Sequence, residues 1–230
     1  MRRLRFFLDF DGTISTADVV DLVLENFGEP AWRDVEKEWA DGKIGSRDCL
    51  SRQLALTRAP REAFEKLIST VSVDPGIVSF LKTAEACGVP VTVVSDGFDL
   101  VIRQILTRTV TDPALLSALP VFANHLELAE DRLQASFPAE PCVHGCANCK
   151  PAVIARQKSA DDFVVFVGDG LSDRFAAQAA DLTFAKGKLL EFCRASRVLH
   201  RAYAGFGEIE EWLKKCHAGQ AAMHNLHLYS

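Results

Sequence analysis

No apolar run in the 230-residue chain reaches the length of a membrane span. The opening Met1-Arg2-Arg3-Leu4 leads into an apolar stretch that stops at Asp9, too short and too abruptly ended for a secretory signal. Positive charge is not in excess either. The formal net charge is −5, which argues against nucleic acid or an anionic membrane surface as the main partner. Internal repeats and low-complexity segments are absent from the sequence, so a repeat architecture is not expected. The seven cysteines are odd in number and scattered. Without a signal peptide they read as reduced thiols of a cytoplasmic protein. What is present is ordinary for a soluble globular chain, 48% hydrophobic and 25% charged residues, enough for a full core and a small inserted subdomain.

The chemistry starts at Leu4-Arg5-Phe6-Phe7-Leu8-Asp9-Phe10-Asp11-Gly12-Thr13. An apolar strand ends in two carboxylates one residue apart, where open α/β sheets hold their ligands. On a continuing strand the two side chains would share a face. If the chain turns at Gly12 they can point apart and take different tasks. That second arrangement suits phosphoryl transfer, with one Asp attacking phosphorus and the other serving as acid and base on the leaving group. The plainer alternative is that the two acids cap a helix or decorate a turn.

Beyond Thr13 the pattern is helical. Ser15, Thr16 and Asp18 are candidate caps for a helix beginning at Val19. Amphipathic pieces follow over Glu29 to Ala40, Ser46 to Leu56 and Arg61 to Ser69. No second strand appears before Val91-Thr92-Val93-Val94, whereas a parallel crossover needs only about a dozen residues. The excess predicts a helical insert over residues 15–74, between core segments 1–14 and 75–217, with a loosely held tail at 218–230. A helix to Ala86, a helix from Phe98 to Thr109 and a hairpin around Ala129 to Arg132 come next. Further strands are expected at Phe163 to Val167, Asp181 to Phe184 and Arg197 to His200, with helices at Leu189 to Arg194 and Glu208 to Cys216.

Three apolar strands thus end in polar groups: Asp9-Phe10-Asp11, Ser95-Asp96-Gly97 and Gly168-Asp169-Gly170-Leu171-Ser172-Asp173. In a parallel sheet these ends meet on one rim. Asp9, Asp11, Asp169 and Asp173 together would repel one another unless a cation sits among them. Oxygen-only donors select a hard ion, and Mg²⁺ is expected. The Ser95 hydroxyl, with the N–H groups of Asp96 and Gly97, is expected to cradle an anion. Lys150 stands at a helix start beside Pro151 and adds a compact positive charge.

In kind and order these residues resemble the four motifs of the haloacid-dehalogenase superfamily. The resemblance covers about residues 4 to 215 and implies a Rossmann-like α/β core of parallel strands with a small helical cap inserted after the first strand. It implies a phosphatase of small phosphomonoesters, monomeric or homodimeric, working through an aspartyl-phosphate. Asp9 would be the nucleophile and Asp11 the acid/base. Asp9, Asp169 and the backbone carbonyl of Asp11 would bind Mg²⁺, with Asp173 supporting the metal's waters or Lys150. The insert is similar to that of the phosphoserine-phosphatase-like group. Cys146-Ala147-Asn148-Cys149-Lys150-Pro151 and Phe122-Ala123-Asn124-His125 resemble most closely the branch that acts on 2-hydroxy-3-keto-5-methylthiopentenyl-1-phosphate in methionine salvage. Phosphoserine phosphatases grip their amino acid with a cap Glu and an Arg. Here Asp18 and Gln53 stand at those places, so the bidentate carboxylate clamp is missing. Phosphoserine hydrolysis and transfer to another acceptor are the alternatives.

Asp18, Arg33 and Lys43 are the candidate specificity residues of the insert. Trp32 and Trp39, seven apart, are expected on one helical face as insert core. His125 is expected to be an ordinary hairpin residue, and His217, His224 and His227 surface residues. Cys142, Cys146 and Cys149, with His144, read as free thiols, a zinc site or a reversible disulfide.

Overall fold

The computed structural model describes residues 2–137, 142 and 144–227, with side chains described as far as residue 219. Strand β1 (Arg3–Leu8) is followed by helices α1 (Val19–Phe27), α2 (Trp32–Ala40), α3 (Ser46–Ala55), α4 (Arg61–Thr70) and α5 (Ile77–Ala86) before strand β2 (Val91–Phe98). Then come α6 (Asp99–Thr109), α7 (Pro113–Ser117), β3 (Val121–Ala129), β4 (Arg132–Ser136), α8 (Lys150–Gln157) and β5 (Asp162–Gly168). A single 3-10 turn at Leu171–Asp173 leads into α9 (Arg174–Ala179), β6 (Leu182–Ala185), α10 (Gly187–Ser196), β7 (His200–Ala202) and α11 (Phe206–His227).

The seven strands lie in the order β4-β3-β2-β1-β5-β6-β7. All neighbours are parallel except the β3–β4 hairpin, which turns at Glu130 and Asp131. β1 is central, and its Phe6-Phe7-Leu8 end is buried on both faces, as an apolar run of this kind requires. Phe6 and Leu8 join one core cluster with Phe80, Ile102 and Phe206. Phe7 points the other way and packs with Val94, Val153, Ile154 and Phe166. The chain goes from β1 to β2 on one side, while β5 pairs on the other. The crevice beyond their carboxyl ends is therefore a topological switch point, where ligands of such sheets bind.

Helices α1 to α4 leave and rejoin this core at one place. Ser15 and Val73 form an isolated antiparallel bridge. On either side of it the Thr16 N–H donates to the Ser72 carbonyl at 3.0 Å and the Asp74 N–H to the Ile14 carbonyl at 2.9 Å. Of the three candidate caps, Asp18 is the N-cap of α1, accepting from the Asp21 N–H. Val19, Val23 and Leu24 give that helix its buried side.

Several boundaries differ from the sequence reading. α2 starts at Trp32, three residues beyond Glu29, after a turn containing Pro30 in which the Glu29 carbonyl accepts from the Trp32 N–H. β2 extends through Ser95-Asp96-Gly97 to Phe98, its register with β3 shifting between Val94 and Phe98. That irregularity bends the strand end into the site. Helix α7, capped by Asp112 on the Ala114 and Leu115 N–H groups, has no counterpart in the expectation. The last strand is His200–Ala202 rather than Arg197 to His200, because Arg197 adopts a left-handed conformation that ends α10. The tail expected from residue 218 is helical through His227, with residues 228–230, and the side chains of His224 and His227, outside the described set.

Candidate active site

Asp9 follows β1 directly, and its N–H donates to the Val167 carbonyl of β5 at 2.9 Å. The chain then turns at Gly12, whose φ of +69° is a left-handed conformation open chiefly to glycine. A Cβ there would collide with the Asp169 carboxylate. The turn sends the two acids apart, the second of the two arrangements open from sequence. Asp9 Oδ1 accepts a hydrogen bond from Lys150 Nζ at 2.7 Å. Asp11 Oδ1 accepts instead from the Val19 N–H at 3.0 Å, and its Oδ2 from the Ser95 hydroxyl at 3.2 Å.

Lys150, the first residue of α8, is buried and bridges two motifs. Its ammonium also donates to Asp173 Oδ1 at 2.5 Å. Asp173 Oδ2 in turn accepts from the Asp169 and Gly170 N–H groups at 3.0 and 3.2 Å, which fixes the loop after β5. Thr13 donates its hydroxyl to Asp169 Oδ1 at 3.0 Å. Carboxylate oxygens of Asp9, Asp169 and Asp173 all lie within 4.8 Å of one another. The Asp11 side chain is outside this group.

Electrostatics follow from one ammonium against three carboxylates. Burial, then repulsion from Asp173, holds the Asp9 pKa well above the ordinary carboxylate range despite Lys150. Burial and Asp173 push Asp169 up to about 6. Burial and the nearby Asp18 raise Asp11 to about 7, against the hydrogen bond from Val19. Burial opposes the Lys150 charge, but Asp173, Asp9 and Asp96 more than offset it and keep its pKa above the usual lysine value. An all-oxygen, net-negative cluster of this kind suits a hard divalent cation.

The Ser95-Asp96-Gly97 segment is held by two asparagines to which the sequence reading gave no role. Asn124 Nδ2 donates to the Asp96 carbonyl at 2.6 Å and to the Gly97 carbonyl at 3.2 Å. Asn148 Nδ2 donates to the Ser95 and Phe122 carbonyls at 3.0 and 2.9 Å, while its N–H reaches Asp96 Oδ1 at 3.2 Å. Burial raises Asp96 to about 6. The Gly97 N–H, expected to cradle an anion, donates to Ser95 Oγ at 2.9 Å, so the strand end uses it internally. The sequence signal available for Asn148 was its place two residues before Lys150.

A cavity of about 560 Å³ opens over these groups. Asp9, Asp11, Ser95, Lys150 and Asp169 form its floor, with Lys186 and Lys188 to one side. The insert forms the opposite wall, including Asp18, Asp21, Glu36, Trp39, Cys49 and Gln53. Gln53 is buried and donates to Glu36 Oε2 at 2.9 Å. Of the three candidate specificity residues only Asp18 lines the cavity. Arg33 lies over the Trp32 ring, 4.6 Å from its centre, and Lys43 pairs with Asp41 at 2.9 Å. The two tryptophans also separate: Trp32 is buried in the insert, whereas Trp39 reaches the cavity and donates to Ser46 Oγ at 3.0 Å. His125 lies between Asp99 and Glu127, away from the cavity lining, as expected of an ordinary hairpin residue.

The family model described as haloacid dehalogenase-like hydrolase matches residues 6–178. A Bacillus pumilus protein named 2-hydroxy-3-keto-5-methylthiopentenyl-1-phosphate phosphatase is 26% identical, covering 93% of this chain and 96% of the relative. A bifunctional MtnB/MtnX enzyme of Bacillus licheniformis is 28% identical over 94% of this chain and 52% of its own length. Among solved structures, a phosphoserine phosphatase captured as a phospho-aspartyl intermediate analogue superposes with a TM-score of 0.68 at 22% identity, covering 92% of this chain and 99% of the other. No helix among the described residues is long and apolar enough to cross a membrane.

Proposed function

The chain belongs to the haloacid dehalogenase-like hydrolases, and from that premise we propose that it hydrolyses a small phosphomonoester through a phosphorylated Asp9. The observation that carries this reading is the division of labour imposed at Gly12: Asp9 is paired to Lys150, and Asp11 is turned away onto Ser95 and Val19. Asp9 attacks phosphorus, forming the Asp9 O–P bond as the ester P–O bond breaks. Asp11, whose raised pKa of about 7 keeps much of it protonated at neutral pH, gives its proton to the leaving alcohol. Ionised Asp11 then takes a proton from the water that attacks the Asp9 phosphoryl group, releasing inorganic phosphate and regenerating Asp9. Lys150 holds the Asp9 carboxylate in place and offsets charge on the transferring oxygens.

Asp9 and Asp169, with the Asp11 backbone carbonyl, would hold Mg²⁺, and Asp173 would orient Lys150 and the loop of Asp169. Bound there, the ion supplies charge compensation between carboxylate and phosphate. Residues 15–74 act as a cap over a core of 1–14 and 75–217, shielding the reacting groups from bulk water. The protein works in the cytoplasm with its thiols reduced, on a soluble small molecule, as a monomer or homodimer.

For the substrate we favour 2-hydroxy-3-keto-5-methylthiopentenyl-1-phosphate or a close analogue. Relatives from Bacillus pumilus and an Exiguobacterium strain, similar over 93% and 90% of this chain, carry that name. The charge of the cavity supports it too. The insert wall presents Asp18, Asp21 and Glu36 and contributes no Lys or Arg to the lining, which disfavours a substrate carrying a carboxylate, such as phosphoserine.

The test is phosphate release from a panel of small phosphomonoesters containing both compounds, with Mg²⁺ or EDTA, for the wild type and Asp9→Asn. Expected is Mg²⁺-dependent release from the keto-pentenyl phosphate, little from phosphoserine, and none by the variant. Release that survives Asp9→Asn overturns the assignment of Asp9. Turnover that requires an added alcohol acceptor identifies a phosphotransferase instead.

A further inference from the structure

We propose that Cys142, His144, Cys146 and Cys149 form a zinc site that braces the loop presenting Asn148 and Lys150 to the catalytic centre. The four residues fall within eight positions of the chain, and one ligand atom from each lies within 4.8 Å of all the others. Three thiolates and an imidazole are a common set for tetrahedral structural zinc, where Zn–S distances of about 2.3 Å imply ligand separations of about 3.7 Å. A bound ion would draw the ligands inward from within that 4.8 Å to reach these separations. All three cysteines are free thiols and only partly buried, so an ion can reach them. Sulfur donors select zinc against Mg²⁺, which prefers the oxygen cluster around Asp169. The chain thus carries two clusters whose donor chemistry sorts two different metals.

The surroundings are those of a built site. The Cys146 N–H points at Cys142 Sγ, 3.4 Å away, an amide contact that supports thiolate charge. Gly145 adopts φ +67°, and its N–H donates to the Cys142 carbonyl at 3.0 Å, curling the backbone so that ligands on either side converge. The His144 ring stacks on Phe175 with 3.8 Å between ring centres, which restricts its orientation. The loop then makes three structural connections. Cys149 is the N-cap of α8, placing Lys150 next in the chain, and Asn148 carries the hydrogen bonds that hold Ser95 and Asp96. On its outer side the Gly145 carbonyl accepts from the Arg47 N–H of the insert at 3.3 Å. A metal at the four ligands fixes the join between insert, motif loop and Lys150. It acts by position and takes no part in the transfer. This inference is independent of the substrate.

The test begins with the full chain purified without chelator, dialysed against buffer freed of zinc and transition metals but containing Mg²⁺, and assayed by elemental analysis. About one zinc per chain is expected, with almost none in a Cys146→Ser/Cys149→Ser variant. A variant that fails to fold would lose zinc as well, so the wild type is also demetallated, reduced and titrated. Its Tm should rise with added Zn²⁺ and level off near one equivalent. Added Co²⁺ should give the visible bands of tetrahedral cobalt–thiolate. A Cys87→Ser/Cys216→Ser variant, altered at thiols elsewhere in the fold, should keep its zinc. The proposal is overturned if the reduced wild type neither retains zinc nor responds to Zn²⁺ and Co²⁺. It is equally overturned by iron with acid-labile sulfide at these cysteines, or by a disulfide among them in the native protein.

Discussion

Asp11 Oδ1 lies 3.0 Å from the N–H of Val19, so the proposed acid/base is tied directly to the first residue of the first insert helix. Its other oxygen meets Ser95 on core strand β2. The proton-transferring group therefore spans the boundary between the sheet rim and the insert, and its orientation reports on both.

Gly97 sets the tolerance of that arrangement. A Cβ at this position would fall 2.5 Å from Asp11 Oδ2, so Gly97→Ala must displace the carboxylate. Misplacement by about 1 Å costs on the order of 100-fold in rate, and a drop of that size in kcat is expected with Tm little changed. Steady-state kinetics beside a thermal melt would check it. Unchanged kcat would mean that the Asp11 position is not critical.

Stability of the metal-free protein should fall as pH rises toward neutrality. Asp96 and Asp169 are raised to about 6 and Asp11 to about 7, so the folded chain holds these protons more tightly than the unfolded chain does. Their stabilising contribution is complete below the ordinary carboxylate pKa of about 4 and is lost as pH climbs through the raised values. Melts in EDTA should show Tm declining from about pH 5 to about pH 7.5. Mg²⁺ should recover more at the upper end than at the lower, since the ionised carboxylates are the form that would hold it. A Tm that increases over this interval in EDTA would contradict the electrostatic picture.

Much of this was legible in the sequence, and what was not has identifiable causes. Strand ends read well because the apolar runs at Phe6, Val93 and Val165 are buried on both faces and stop sharply at polar residues. Asp9, Lys150, Asp169 and Asp173 come together as expected, because a parallel sheet brings its carboxyl ends to one rim. Arg33 could not be placed, since a helix pattern gives an apolar face but not the direction of its polar one, and Lys43 could not because it lies in the turn between α2 and α3, which has no periodic pattern. Asn124 and Asn148 act through backbone carbonyls far away in sequence, a relation that no local spacing encodes. The helical tail went unread because residues 218 to 227 have no strong apolar stripe to announce a packed helix.

Asn148→Ala tests one of those unread contacts. The change leaves the Ser95 and Phe122 carbonyls without their side-chain donor, which should cost about 1–3 kcal/mol. It should also lower kcat, because the loop of Ser95 loses a support. Chemical denaturation and phosphate release measure the two effects. Loss of stability at full kcat would restrict Asn148 to a structural role.

The two insert tryptophans should behave differently. Trp32 is 7% exposed, and Trp32→Ala is expected to destabilise by about 3 kcal/mol or more through the cavity it leaves. Trp39 faces the substrate space, so Trp39→Ala should chiefly raise KM. Equal effects of both substitutions on KM would place Trp32 at the cavity as well.

The bridge between Ser15 and Val73 carries an evolutionary consequence. Since the insert begins and ends at hydrogen-bonded neighbours, a short turn joining Ile14 to Asp74 would close the sheet without rethreading a strand. The cover is thus a cassette that can be lengthened, replaced or reshaped, provided its first helix still offers Asp11 the N–H that Val19 gives. New substrates could then be acquired by exchanging the rest of the roof, with that one contact kept.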